Sequence, residues 1–152
     1  MLVGILFWAL LLLCCSHAIL FGGRDGRWAV VLILVASVLS LPPMFMAAAY
    51  AETESIIFAA DLLLLAGLYV LMLRSRRYWP IWMTGFHTIA VVTHLGTLLA
   101  PSFAPLIYWA MGSFWAIPVL LSLLIGVELD RRAVLKSRHL AAGANASAAS
   151  EP

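Results

Sequence analysis

The sequence predicts an all-α integral membrane protein: a bundle of five transmembrane helices with short loops, N-terminus outside and C-terminus cytoplasmic. Three observations predict it. Of the 152 residues, 64% are hydrophobic and 11% charged, whereas a soluble domain is roughly 45–50% apolar and about 25% charged because its surface must be wetted. Five continuously apolar stretches fill the chain up to residue 127, and each is near the ~20 residues that cross a bilayer as a helix. All nine Lys and Arg residues fall in three places that five spans put on one side.

The first stretch, residues 2–20, has no Lys or Arg before it and is long for the apolar part of a secretory signal, so it is expected to be a retained span. Within it Cys14 and Cys15 are adjacent, too close in sequence to staple separate elements, and are expected to pack as small apolar residues. The connector 21–27 holds Gly22, Gly23 and Gly26, and leads to a second span over 28–50 whose outer end Pro42 and Pro43 should bend. A third span is expected over 55–73, a fourth over 79–99 and a fifth over 102–127, joined by connectors 51–54, 74–78 and 100–101. Such short connectors make consecutive helices antiparallel neighbours. Strands are a poor alternative, because a membrane barrel alternates polarity over ~10-residue stretches and these runs do not alternate. In the fifth span Pro118 should bend the helix, and Gly112-x-x-x-Ala116 offers a close helix contact within the bundle or with another chain. The division is thus a membrane domain over 1–127 and a cytoplasmic tail over 128–152, basic at first, then Ala-, Gly-, Ser- and Asn-rich and expected to be disordered. On that side the Asn145-Ala146-Ser147 sequon should stay unmodified.

Orientation follows from the basic residues, which are retained in the cytoplasm. They are Arg24 and Arg27; Arg74, Arg76 and Arg77; and Arg131, Arg132, Lys136 and Arg138. These are the first loop, the third loop and the tail, where they are expected to anchor topology and contact lipid headgroups. Trp28, Tyr78, Trp79 and Trp82 on that side and Tyr50 on the other sit where interfacial aromatics belong. The expected location is a cell membrane, the inner membrane if the source is bacterial.

An ionisable group inside a span is expensive, so a site should be sought there. The candidates are His17, Asp61, His87 and His94. Asp61 lies about 9 Å from the outer end of the third helix, and His94 lies at about the same depth on the fourth. Tyr108 is in the same layer on the fifth. Asp61, His94 and Tyr108 are therefore expected to form a polar cluster in the outer third of the bundle, with His87 on the same helical stripe as Thr84, Thr88, His94 and Thr97. Two readings stay open: residues that hold helices together, or residues that orient a small hydrophobic or protonatable ligand. Haem ligation fits poorly, because His87 and His94 are about 10.5 Å apart along one helix. No cofactor, metal site or catalytic residue is expected.

The net charge of +2 gives no argument for nucleic acid. There is no phosphate-binding loop, zinc-protease motif or nucleophile elbow. Size, span number and six tryptophans resemble the tryptophan-rich sensory protein family, small five-helix proteins that bind porphyrins and other hydrophobic ligands. The resemblance stops there. The Gly-rich turn after the first span replaces that family's long loop, and its Trp/Pro/Asn motifs have no counterpart. The expectation is a non-enzymatic structural or accessory membrane subunit, partnered by the bilayer and by a second copy or a larger complex through Gly112 and Ala116. The alternative is a ligand binder or carrier around Asp61 and His94.

Overall fold

A computed structural model describes residues 2–40, 50–99 and 105–148. Among them the chain is all-helical, with five helices and no strand: α1 (Leu2–Phe21), α2 (Gly23–Leu39), α3 (Tyr50–Arg74), α4 (Trp79–Leu99) and α5 (Pro105–Ala148). Of these, the segment Ser55–Arg74 is long and apolar enough to cross a membrane, while Phe7–Phe21 is apolar but shorter. One such helix is less than the five spans the sequence predicts. In α2 the reason is visible: Arg24, Asp25 and Arg27 occupy its first turns, and the continuation past residue 40, with Pro42 and Pro43, lies outside the described residues.

Local chemistry sets the helix ends. The connector predicted over 21–27 contracts to a corner at Gly22 and Gly23. Gly23 takes a φ of +63°, a conformation open to glycine without the Cβ clash. A Cβ on Gly22 would stand 2.5 Å from the Ala18 carbonyl oxygen, and one on Gly26 2.8 Å from the same atom. The turn is tight because nothing larger than glycine fits against α1 there. α4 carries Pro80 in its first turn and α5 starts at Pro105, positions where a missing N–H costs no helical bond.

The helices form a closed ring in chain order. Each packs on the next helix in the chain, and α5 returns to pack on α1. The core is gathered toward one end. Leu11, Cys14 and Ala18 of α1 meet Ala29 and Ile33 of α2, Leu68 and Leu71 of α3, Trp79 and Met83 of α4, and Leu123 and Val127 of α5. All these lie toward the end of the bundle that holds the Gly22–Gly23 corner and the α3–α4 connector. Trp79 reaches the centre because Gly126 has no side chain, a Cβ there being only 2.1 Å from the Trp79 Cβ.

The tail departs from its expected disorder. α5 is a single helix of 44 residues that passes through Pro118 and continues to Ala148. Two physical causes are evident: Ala, Leu, Lys and Arg dominate residues 131–142, all strong helix formers, and Glu128 bridges forward to Arg132 at 2.8 Å one turn on.

Candidate functional site

α3 and α4 run antiparallel, and this brings the only carboxylate within residues 55–73 against two histidines of the next helix. His94 Nε2 lies 3.3 Å from Asp61 Oδ2, and His87 Nε2 lies 4.0 Å from Asp61 Oδ1. His87 Nε2 also stands 3.0 Å from the Asp61 backbone carbonyl. A carbonyl only accepts, so this contact assigns the His87 proton to Nε2, which donates to it. One residue of α3 thus receives two imidazoles through its side chain and its main chain. The His87 side chain is 8% exposed, Asp61 20% and His94 27%, so the cluster opens progressively away from the core.

The rest of the predicted stripe serves its own helix. Thr84 Oγ1 donates to the Pro80 carbonyl at 2.7 Å and Thr88 Oγ1 to the Thr84 carbonyl at 2.8 Å, which consumes their donors within α4. The side chain of Tyr108, the environment of Gly112 and the side chain of Thr97 lie outside the described residues. Ala116 is half-buried. Neither of two shallow concave sites, one of about 470 Å³ between α4 and α5 and one of about 480 Å³ at the start of α2, includes Asp61. Among the described residues no group of three or more His, Cys, Asp or Glu side chains is arranged to hold a metal ion.

A second polar assembly, at the opposite end of the bundle, is one that sequence reasoning missed. Arg77 in the α3–α4 connector bonds Asp130 through Nη1 at 2.9 Å and lies 3.7 Å from Asp25 through Nε. Ser75 Oγ donates to Asp25 Oδ2 at 2.7 Å, and the Trp79 indole N–H donates to Asp130 Oδ2 at 3.2 Å. The start of α2, the α3–α4 connector and α5 are therefore tied by one guanidinium. Beside it Glu128 collects Arg132 at 2.8 Å, His17 at 3.4 Å and Arg131 at 3.5 Å. The hydrogen bond from Arg132, reinforced by the charges of Arg131, Arg132 and His17, holds the Glu128 carboxyl below its ordinary range. Arg131 also stacks over Phe21, 4.0 Å from the ring centre. The only advance signal was the placement of acids beside the arginines, because partners about 50 residues apart are not visible in a linear pattern.

The three groups of basic residues consequently share one end of the bundle. Arg77, Arg131 and Arg132 are committed to carboxylates there. Arg24, Arg27, Arg74, Arg76, Lys136 and Arg138 have no ion-pair partner among the described residues. Two buried polar atoms, His17 Nδ1 and Trp115 Nε1, have no hydrogen-bond partner there either.

Comparison with protein-family models, with curated proteins and with solved structures finds no match.

Proposed function

We propose that this chain is a multi-pass membrane protein of five spans, N-terminus outside and the end of α5 cytoplasmic, acting as a non-enzymatic structural or accessory subunit. The observation that carries the reading is the combination of an apolar exterior with basic residues gathered at one end. Leu13, Leu63, Val38 and Val92 are each about 60% exposed, on four different helices; water would penalise such a surface and lipid would not. Exposed hydroxyls support it. Ser16 and Thr93 donate to carbonyls four residues back, at 2.7 and 2.8 Å, which satisfies them without solvent. The convergence of the basic connectors on one end supports the assigned orientation.

In this reading Asp61, His87 and His94 fasten α3 to α4, an interhelical tie of the kind polar groups make in hydrocarbon. A second reading, a binder or carrier of a small protonatable ligand, is favoured by the partial exposure of Asp61 and His94 side by side. Reporter fusions at Glu52 and after Ala148 test the topology: opposite sides are expected, and Glu52 in the cytoplasm overturns it. Purification in mild detergent with mass spectrometry of bound species separates the functions. A stoichiometric protein partner supports the subunit reading, and a small basic molecule lost in Asp61→Asn supports the second.

A further inference from the structure

We propose that the outward face of α2 binds an anionic phospholipid, with Arg24 and Arg27 holding the headgroup phosphate and Trp28, Val31, Val35 and Val38 carrying an acyl chain. This deepens the five-span reading and rests on it. The six positions recur at intervals of three, one, three, four and three, which places them within about 100° of one another on a helix. The buried residues of α2, namely Gly26, Ala29, Val30, Ile33 and Ala36, lie on the opposite side. The outward stripe therefore has no partner within the bundle.

Charge and shape select the occupant. Arg24, Arg27, Trp28 and Val31 line a concave site of about 480 Å³. Neither arginine has an ion-pair partner among the described residues, and the acid between them in sequence, Asp25, is turned to Ser75 and Arg77. Two cations three residues apart on a helix repel each other, and a phosphate between them relieves that cost. Arg74, Arg76, Lys136 and Arg138 also have no ion-pair partner among the described residues, but they line neither concave site. Below the arginines Trp28 is 55% exposed, Val31 49%, Val35 53% and Val38 61%. This apolar track continues about 15 Å from Trp28 to Val38, which a free phosphate would leave bare and a lipid would cover.

The test uses the full chain in nanodiscs holding equal phosphatidylglycerol and phosphatidylcholine, with retained lipid counted by native mass spectrometry. A gain of about 1 kcal/mol per basic residue near the surface corresponds to about fivefold, so the pair should prefer phosphatidylglycerol about 25-fold. Arg24→Gln/Arg27→Gln should abolish the preference, while Lys136→Gln/Arg138→Gln, removing equal charge, should leave it within about twofold. Trp28→Ala keeps every charge, and should lower total retention about threefold without changing headgroup preference. Equal loss in both Gln pairs, no loss in the first pair together with no loss in Trp28→Ala, or full displacement of lipid by inorganic phosphate would overturn the proposal. Carbonate extraction is run alongside. Wild-type protein released from membranes by carbonate would overturn the five-span reading and the site with it, whereas retained protein with unaltered lipid binding removes the site alone.

Discussion

His94 Nε2 stands 3.3 Å from Asp61 Oδ2, a direct contact between the imidazole of one apolar helix and the carboxylate of its neighbour. It is strengthened by His87, which grips the Asp61 main chain at 3.0 Å. Interhelical polar contacts of this type average about 0.6 kcal/mol in membranes and reach about 1.7 kcal/mol. A double-mutant cycle of Asp61→Ala and His94→Ala, read by detergent-induced unfolding, is therefore expected to give a coupling near 1 kcal/mol. Additive losses would reduce the two residues to mere neighbours.

Arg77 should matter far more than Arg76. Its removal leaves Asp25 and Asp130 without the cation they share, and their side chains are 29% and 38% exposed, so water compensates only in part. Arg77→Ala is expected to cost about 1–2 kcal/mol. Arg77→Lys should recover less than half, because one ammonium cannot serve both carboxylates as a guanidinium does. Arg76→Ala should stay within about 0.5 kcal/mol. Equal effects of Arg76→Ala and Arg77→Ala on thermal unfolding would contradict the network.

Two glycines of α5 should respond in opposite directions to alanine. At Gly126 the new methyl meets the Trp79 Cβ at 2.1 Å, which forces α4 and α5 apart at an expected cost of about 1–3 kcal/mol. At Gly143 a Cβ would meet nothing within 4 Å, so the alanine should stabilise the exposed helix by up to about 1 kcal/mol. Melting followed by circular dichroism distinguishes the two.

Acid should loosen the charged end through Glu128. Its carboxyl is held below the ordinary range, first by the Arg132 hydrogen bond. A carboxylate depressed on folding contributes stability that is fully present above its unfolded value and is lost as pH falls through the lowered one. Thermal stability measured from pH 6 down to pH 3 should therefore decline on the acid side, and Glu128→Gln should flatten that decline. An unchanged acid slope in Glu128→Gln would place the titration elsewhere.

The helical class and the meeting of Asp61 with His94 were legible in the sequence, for different reasons. Continuous apolar runs leave the backbone no economical alternative to helix, and equal depth on adjacent antiparallel helices leaves two polar groups few other places to go. The corner at Gly22 was misjudged because glycine composition signals a loop, while only one positive φ is needed to reverse the chain. The helical tail was misjudged for a related reason: an alanine-rich segment has nothing to bury, yet alanine also has the highest intrinsic helix propensity. The Asp25, Arg77 and Asp130 assembly was hidden because it exists only once α2, the α3–α4 connector and α5 meet.

On the five-span reading proposed above, the unbroken course of α5 has a bearing on which of its cations a bilayer can feel. Residues beyond Val127 climb about 1.5 Å each along the helix axis. Arg131 and Arg132 then stand about 6–8 Å past that point, and Lys136 and Arg138 about 14–17 Å. Physiological salt screens exposed charges over about 8 Å. On that reading a tail that collapsed onto the surface would bring all four within range, whereas an unbroken helix divides them and leaves the distal pair in bulk electrolyte.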